Sequence, residues 1–294
     1  MGHTVIGKPT VLARAKVNLG LEVLGRRPDG YHEVRTILAT VSLADRLEAV
    51  PAPRLQVRST RPELGSGSDL VFRAAQAVMC RAGLRAGALI RVEKRIPLAA
   101  GLGGGASDAA ATLRLLRRLF RLRSLSEADL YQLGATLGAD VPFFIRGGVA
   151  LAAGRGERLE PLPDLPPWPV IVALDREGPP DKTRRAYAAL TPDHWSAGEE
   201  VLKIAEELVG SRWSAAEAPF NVFDLFAPQL YPDIDGLKAR VLRAGARWVS
   251  LAGAGPAIFT VEPDPDRART VSRNLRVQGI PAFLCHFSPR LRKL

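Results

Sequence analysis

Four glycines within five positions make up the most chemically distinctive stretch of this 294-residue sequence. They lie in residues 97–107, which read Pro-Leu-Ala-Ala-Gly-Leu-Gly-Gly-Gly-Ala-Ser and lead into an Ala- and Leu-rich segment typical of a helix. Glycines leave backbone N–H groups uncovered, and the first turn of a helix adds free N–H donors and a positive dipole end. This combination binds phosphate. The structural alternative is a loop in which Ser107 or Asp108 is an ordinary helix cap.

Two known phosphate-binding patterns can be compared with this loop. The pattern G-x-x-x-x-G-K-[ST] is excluded because no lysine precedes Ser107. The dinucleotide pattern G-x-G-x-x-G/A is met by Gly101, Gly103 and Ala106, although Pro97 and three further residues intervene before the first glycine. A dinucleotide-binding oxidoreductase, which would bind NAD(P)H and not ATP, therefore stays open as an alternative.

A lysine and an asparagine on the first predicted strand form a second candidate group. Apolar and polar residues alternate over residues 11–24, which predicts a strand. Lys16 and Asn18 are two positions apart, so their side chains point to the same side and could hold one ligand between them. The structural alternative is a solvated strand face.

Asp140 is a carboxylate among apolar residues, in the segment Gly-Ala-Asp-Val-Pro-Phe-Phe. Pro142 predicts an extended chain just past the aspartate. Such a carboxylate is either a structural cap or a positioned base, and the residues themselves leave both possibilities open.

Tyr31 and His32 follow a turn predicted from Pro-Asp-Gly at residues 28–30. Taken alone, such a histidine is more often a surface or hydrogen-bonded residue than a catalyst. A lone tyrosine is likewise more often part of a core or its rim than a platform for a base. These two residues therefore carry no functional assignment by themselves.

Bulk composition limits the class of protein. The 47% apolar content suits a globular chain of one large or two ordinary domains. The sequence has no run of about 18 apolar residues, and its N-terminus has no charged-then-apolar leader, so we expect no membrane partner and a cytoplasmic location. Cys80 and Cys285 are far apart, which predicts buried reduced thiols and no cysteine-bound metal.

The formal net charge of +11 predicts a surface that attracts anions, which could be nucleotides, diphosphates or nucleic acid. A helix is expected from Ala106 to about Leu119, and arginines recur at helical spacing at positions 114, 117, 118 and 121, which is typical of a solvated face. A nucleic-acid-binding module is an alternative, but aromatic and basic residues do not interleave as in single-strand binders. We therefore expect no nucleic-acid partner.

A Pro-rich segment at residues 161–169 is interpreted as a link between two domains, residues 1–160 and 170–294. A hairpin turning near residues 154–156 precedes it. Strands and helices of a βαβ type follow it.

Three motifs in this order, residues 15–19, 97–107 and 251–256, resemble the GHMP kinases, the superfamily of galacto-, homoserine, mevalonate and phosphomevalonate kinases. The resemblance spans nearly the whole chain. It implies an α+β fold with an N-terminal domain like ribosomal protein S5, a ferredoxin-like C-terminal domain and an active site in the cleft between them. It also implies a kinase that uses ATP and Mg²⁺ to phosphorylate a small-molecule alcohol.

Residues 26–33 and 138–144 are similar to those members that phosphorylate the 2-hydroxyl of a cytidine diphosphate sugar alcohol, in the mevalonate-independent route to isoprenoid precursors. The alternative is a sister kinase for homoserine or mevalonate, which shares the loop. Either resemblance implies small-molecule partners and a monomer or weak homodimer.

The resemblance also assigns roles to particular residues. Asp140 would accept the hydroxyl proton, while Lys16 would pair with Asp140 and neutralise charge on the transferred group. Asn18 would help to hold the cytidine part of the substrate, together with Tyr31 by stacking and His32 by hydrogen bonds.

Phe220 is a candidate for the opposite stacking face, and Ser107 is a candidate ligand of the Mg²⁺ that accompanies ATP. The ATP phosphates would be bound by the whole loop, which consists of Pro97, Leu98, Ala99, Ala100, Gly101, Leu102, Gly103, Gly104, Gly105, Ala106 and Ser107.

The sequence departs from the family pattern at four alanines. Ala99 and Ala100 stand where glycine is usual, and Ala106 and Ala254 stand where serine is usual or frequent. The last two lack a hydroxyl that could touch phosphate, whereas backbone donors do not depend on the side chain.

Overall fold

The computed structural model describes residues 9–61 and 69–292. The N-terminal residues on which the expected absence of a leader depends lie outside this part of the chain. The strands are β1 (Thr10–Arg26), β2 (His32–Ala52), β3 (Gln56–Ser59), β4 (Gly87–Glu93), β5 (Val149–Gly154), β6 (Arg158–Leu162), β7 (Pro169–Ala173), β8 (Ser250–Leu251), β9 (Ile258–Val261) and β10 (Ala282–His286). The α-helices are α1 (Leu70–Arg81), α2 (Gly104–Leu119), α3 (Glu127–Leu137), α4 (Val141–Arg146), α5 (Lys182–Ala188), α6 (Glu199–Val209), α7 (Ala227–Leu230), α8 (Ile234–Arg243) and α9 (Pro265–Val277).

A six-stranded sheet carries the first half of the chain. Its centre is β2, which pairs antiparallel with β1 along one edge and with β5 and then β4 along the other. β3 pairs parallel with β4, and β6 pairs antiparallel with β5. Helices α1 to α4 contribute to the core of this half, which includes Val78, Leu113, Leu130 and Phe143.

The second half of the chain forms a four-stranded antiparallel sheet in the order β10-β7-β9-β8. Strands β9 and β10 both run antiparallel to β7, so they are parallel to each other and are connected by α9. This is the βαβ type of connection that the sequence predicts, with β7 inserted between its two strands.

One apolar core connects the two halves. Val17 of β1 and Leu102 of the glycine-rich loop lie in the same buried cluster as Val172 of β7 and Phe259 of β9. The Pro-rich segment therefore separates two sheets along the sequence while their cores stay continuous. The division into domains 1–160 and 170–294 remains a prediction.

The fold corrects two expectations, that Arg114 lies on a solvated face and that Cys80 is buried. Arg114 is only 8% exposed, because this face of α2 packs against β1 and its guanidinium donates to the carbonyl of Leu12 over 3.3 Å. Both cysteines are free, but Cys80 is exposed on α1 while Cys285 is buried. No helix in the described part of the chain has the length and hydropathy needed to cross a membrane.

Candidate active site

The phosphate loop (residues 97–107) ends at a helix N-terminus that has no side-chain cap within the described residues. Helix α2 begins at Gly104 rather than Ala106, and Gly103 is its N-cap in a left-handed conformation with φ 72°. No side chain hydrogen-bonds to this cap, and no acidic residue lies in the first turn of α2. The structural alternative, in which Ser107 or Asp108 caps the helix, is therefore wrong. The donors of the first turn are open to an anion, and Gly105 beside them is exposed.

Backbone hydrogen bonds hold this loop on two sides. The amide of Lys16 in β1 donates to the carbonyl of Leu102 over 3.0 Å. The amide of Ala257, just before β9, donates to the carbonyl of Ala100 over 3.1 Å. The three motifs that are distant in sequence therefore meet at one place.

Two glycines of the loop are required by close packing. A Cβ on Gly101, whose φ is 90°, would lie 1.8 Å from the carbonyl oxygen of Ala252. A Cβ on Gly103 would lie 2.7 Å from the ring of Phe144. The glycines thus let the loop approach the neighbouring backbone, and they do not make it a flexible linker.

The base of the loop is held by a buried ion cluster that sequence reasoning missed. Lys94 pairs with Asp45 and, over 2.6 Å, with Asp108 in α2. Asp45 also accepts the amides of Arg95 (2.5 Å) and Ile96 (2.8 Å). Burial raises the pKa of Asp108 to about 8, with Lys94 opposing the rise and Asp45 adding to it. The Lys94 cluster (Lys94, Asp45 and Asp108) thus joins the start of the loop to α2.

Lys16 and Asn18 lie in the interior and not on a solvated strand face. Lys16 is 5% exposed, and its Nζ donates to Asn18 Oδ1 over 2.7 Å, so both side chains point to the same side as expected. Asn18 Nδ2 in turn donates to Thr36 Oγ1 over 2.8 Å, which fixes the amide. Burial lowers the pKa of Lys16, and the charge of Asp140 opposes this.

Asp140 occupies the N-cap position of α4, but its carboxylate makes no capping hydrogen bond. The chain past Asp140 is helical and not extended, because Pro142 lies in the first turn, where a missing N–H costs nothing. The negative charge of Asp140 acts on Lys16, although no ion pair joins them within the described residues. The expected pairing is thus electrostatic, and Lys16 is hydrogen-bonded to Asn18 instead.

Lys182, which sequence reasoning did not select, is the first residue of α5 and lies near the same carboxylate. It is 7% exposed. Burial lowers its pKa to about 7, the charge of Lys16 adds to the fall, and Asp140 opposes it. Two lysines from different halves of the chain therefore converge on Asp140.

Tyr31 and His32 form an aromatic edge beside this charged group. Tyr31 is 57% exposed, and the guanidinium carbon of Arg155 lies 4.9 Å from its ring centroid. Arg155 belongs to the turn between β5 and β6, where the position of a Cβ on Gly156 would be 3.8 Å from Asp140 Oδ1. Partial burial, with the charge of Arg26, lowers the pKa of His32 and favours the neutral ring.

Tyr187 is the aromatic residue that faces His32. Their ring centroids are 5.3 Å apart, and Tyr187 also packs edge-on against Phe223 at 5.1 Å. Burial, with the charge of Asp140, raises the pKa of Tyr187 and keeps its phenol neutral. Phe220 makes no ring contact with Tyr31 or His32 in the described structure, and it packs against a buried cluster formed by both halves of the chain. Sequence reasoning missed Tyr187 because it occupies an ordinary helical position.

The turn at residues 251–257 is held by Asn221 and Tyr231. Asn221 Nδ2 donates to the carbonyls of Leu251 and Gly253, each over 2.9 Å. The hydroxyl of Tyr231 donates to the carbonyl of Ala254 over 2.6 Å. A Cβ on Gly253 would lie 2.8 Å from Lys16 Nζ, so this turn forms one wall around the lysine.

The surroundings of Ser107 do not fit a Mg²⁺ ligand. Ser107 is 1% exposed and lines a small cavity together with Arg14, Arg114 and Arg146, whose positive charges oppose a cation. No group of three or more His, Cys, Asp or Glu side chains in the described residues could hold a metal ion. Asp140, which forms no ion pair among these residues, is the carboxylate that would hold a Mg²⁺ ion together with phosphates.

Family models match both halves of the chain. The model of the GHMP kinases N terminal domain matches residues 69–148, and the model of the GHMP kinases C terminal matches residues 203–280. The first match contains the whole phosphate loop and Asp140. The second contains the turn beside Lys16.

Individual proteins agree with these matches. A 4-diphosphocytidyl-2-C-methyl-D-erythritol kinase of Dehalococcoides mccartyi is 43% identical over 94% of this chain and 96% of its own length. A crystal structure of 4-(cytidine 5'-diphospho)-2C-methyl-D-erythritol kinase superposes with a TM-score of 0.81 at 39% identity, over 95% of this chain and 99% of that one. A homoserine kinase from Cytophaga hutchinsonii shares the fold, with a TM-score of 0.73 at 18% identity over 99% and 97% of the two chains. The matches over both halves and nearly the full length show that the chain belongs to the GHMP kinases and groups with the 4-diphosphocytidyl-2-C-methyl-D-erythritol kinases among them.

Proposed function

We propose that this protein transfers the γ-phosphoryl group of ATP to the 2-hydroxyl of 4-diphosphocytidyl-2-C-methyl-D-erythritol, giving the 2-phosphate and ADP. The observation that carries the proposal is the convergence of Lys16, Asp140 and the uncapped N-terminus of α2 beside an exposed aromatic edge. The similarity to relatives of that name supports the same substrate. The reaction belongs to the mevalonate-independent route to isoprenoid precursors.

The phosphate loop binds the ATP phosphates through backbone N–H groups at the start of α2. Asp140 accepts the proton of the 2-hydroxyl while the hydroxyl oxygen forms its bond to the γ-phosphorus and the bond to ADP breaks. Lys16, oriented by Asn18, neutralises charge on the transferred group. Asp140 would help to hold Mg²⁺, which would supply further charge neutralisation when bound.

The cytidine part of the substrate fits the aromatic edge. Tyr31 offers an exposed ring for stacking, and the neutral ring of His32 can both donate and accept hydrogen bonds to a base. Asn18 remains a candidate substrate contact, although both ends of its amide are engaged with Lys16 and Thr36. We assign the opposite stacking face to Tyr187 in place of Phe220, because Tyr187 is the ring beside His32.

All of these groups come from one chain, so a monomer can be active, and a weak homodimer would not change the site. ATP and a charged sugar nucleotide are water-soluble substrates, which fits a cytoplasmic location. The dinucleotide-binding alternative fits poorly, because β4 ends at Glu93 and the first glycine of the pattern is Gly101.

The test is incubation of the protein with ATP, Mg²⁺ and each candidate acceptor, followed by mass analysis of the acceptor. We expect one added phosphate on the cytidine diphosphate sugar alcohol and none on homoserine or mevalonate. Phosphorylation of homoserine or mevalonate alone would contradict the proposal and favour the sister-kinase alternative.

A further inference from the structure

Lys182 is a buried residue whose ammonium group has no partner among the described residues. Only 7% of the residue is exposed, and no hydrogen bond or ion pair reaches its Nζ within the described residues. A buried ammonium group without a counter-ion is unfavourable, and its proton is accordingly held less tightly. The pKa of Lys182 falls to about 7 by burial and by the charge of Lys16, with Asp140 opposing the fall.

Gly178 lies between the aliphatic part of Lys182 and the phosphate loop. It precedes Lys182 in the chain, and a Cβ there would be 2.6 Å from the carbonyl oxygen of Ala99, 2.9 Å from Lys182 Cδ and 3.0 Å from Pro256 Cδ. The lysine therefore lies where the loop meets the turn at residues 251–257. A side chain at residue 178 would clash with both the loop and the lysine, so this close approach requires Gly178.

The charged groups that face Lys182 are those of the proposed reaction. Lys16 comes from β1 and Asp140 from the N-terminus of α4. Lys16 is already oriented by Asn18, whereas Lys182 has no such partner in the described structure. An anion that enters between the two lysines would supply the missing counter-charge for Lys182.

We infer that Lys182 is a further catalytic residue, whose ammonium group contacts the γ-phosphate of ATP opposite Lys16 and stabilises the charge of the transferred phosphoryl group. The inference rests on the proposed function for the identity of the reaction. It adds a cation from the second half of the chain to the two charged groups, Lys16 and Asp140, that come from the first half. The β-phosphate is left to the loop, so ATP and ADP should depend on Lys182 to different extents.

The first experiment measures nucleotide binding by titration calorimetry, without any acceptor. Lys182→Met should weaken the Mg²⁺ complex of a non-hydrolysable ATP analogue by about tenfold or more and leave ADP within about twofold. Lys182→Arg, which keeps the charge, should restore the preference for the triphosphate. Lys203→Met on the exposed face of α6 is the matched control and should match the wild type.

Proton uptake on binding is a measurement that a purely structural role of Lys182 would not change. At about pH 7.5, binding of the triphosphate analogue to the wild type should take up a fraction of a proton, seen as a dependence of the binding enthalpy on the ionisation enthalpy of the buffer. The Met and Arg variants should take up a smaller fraction of a proton, because neither side chain titrates in this range and only Lys16 is left to gain one. Unchanged uptake in Lys182→Met, or equal weakening of triphosphate and diphosphate, would overturn the inference.

Turnover tests the catalytic part of the inference. With the sugar nucleotide as acceptor, Lys182→Met should lower kcat by about 10²-fold, and Lys182→Arg should recover most of it. A kcat within about twofold of wild type in the Met variant would refute a catalytic role. A wild type that binds ATP with proton uptake but phosphorylates another acceptor would refute the proposed substrate and leave the role of Lys182 standing.

Discussion

At the scale of single residues, the candidate site combines one proton acceptor with cations that balance charge. We expect Asp140→Asn to lower kcat by about 10²- to 10⁴-fold, because an amide cannot take the hydroxyl proton. Lys16→Met should lower it to a similar extent by removing the oriented ammonium group. Release of ADP in a coupled assay measures both effects.

The exposed residues Asp193 and Lys203 provide matched controls for these two substitutions. Asp193→Asn and Lys203→Met should leave turnover unchanged, and circular dichroism should show that all four variants fold. Turnover near that of the wild type in either Asp140→Asn or Lys16→Met would contradict the assignment.

Tyr187 and Phe220 can be distinguished by their effects on the acceptor. Tyr187→Leu should raise the KM for the sugar nucleotide roughly tenfold or more, because stacking of a base on an aromatic ring contributes about 1–3 kcal/mol. The KM for ATP should stay near its wild-type value. Phe220→Leu is the comparison, and a larger effect there than at Tyr187 would restore the assignment made from the sequence.

The residues that the sequence made visible are those within short motifs. Lys16, Asn18 and Asp140 stand in segments whose residue order is unusual, and the structure brings the three close together. Tyr187 and Lys182 belong to a helical segment of ordinary composition, and only the packing of α5 against the first half carries them to the cleft. Spacing along the chain contains no signal for such a contact.

At the scale of elements, the phosphate loop contains one glycine that leaves no room for a side chain, Gly101, and one that does, Gly105. Gly101→Ala should lower the free energy of unfolding by about 3 kcal/mol or more, because overpacking and backbone strain each cost roughly 1–3 kcal/mol. Its new Cβ would meet the carbonyl of Ala252, which belongs to a fixed turn. Chemical denaturation measures the change.

Gly105→Ala is the control within the same loop. Its Cβ would have only Leu70 nearby, at 3.6 Å, and its backbone is helical, so stability should rise by up to about 1 kcal/mol. Equal destabilisation by the two substitutions would show that close approach to Ala252 is not what requires Gly101.

The Lys94 cluster predicts a particular dependence of stability on pH. The pKa of Asp108 is about 8 in the folded protein and near its ordinary 3.8 when unfolded, so the folded state binds more protons between these values. The contribution of Asp108 to stability is therefore fully present below about pH 4 and is lost as the pH rises towards 8.

Asp108→Asn removes this titration. Its free energy of unfolding should rise relative to the wild type as the pH increases from about 4 to 8, and the difference should then level off. Denaturation curves across this range provide the measurement, with Asp193→Asn as the control. A constant difference between variant and wild type would contradict the raised pKa.

Helix α1 could be predicted from periodicity, because its apolar spacing reflects its buried face. The alternation along β1 predicts a strand but not its burial, since both faces are buried from Ala15 to Val23. The start of α2 could not be predicted, since a glycine N-cap gives no side-chain signal. The Lys94 cluster was also invisible, because charged residues far apart in sequence are ordinarily solvated. Only tertiary contact makes such an ion cluster buried.

At the scale of the whole molecule, the continuous core predicts one unfolding transition. All four tryptophans lie beyond residue 160, so their fluorescence reports on the second half of the chain, whereas far-UV circular dichroism reports on both. We expect the two probes to give the same midpoint in urea, because separating the halves would expose Val17 and Phe259 together. Two separate midpoints would show that the halves unfold independently.

The general architecture could be inferred because the order of motifs resembles a known superfamily. The continuity of the core could not, since a Pro-rich segment is equally typical of a flexible link and of a tight connection. Likewise the net charge predicted an affinity for anions but not where they bind. Contacts between distant segments decide both questions.

The phosphate loop accepts one backbone hydrogen bond from each half of the chain, from the amide of Lys16 in β1 and from the amide of Ala257 before β9. If the chain were cut within residues 163–168, the N-terminal fragment would keep the loop and the bond from Lys16 but lose the bond from Ala257. We therefore expect neither fragment alone to bind a nucleotide. Reassociation of the two fragments would restore both hydrogen bonds to the loop, and nucleotide affinity would then report on fragment complementation.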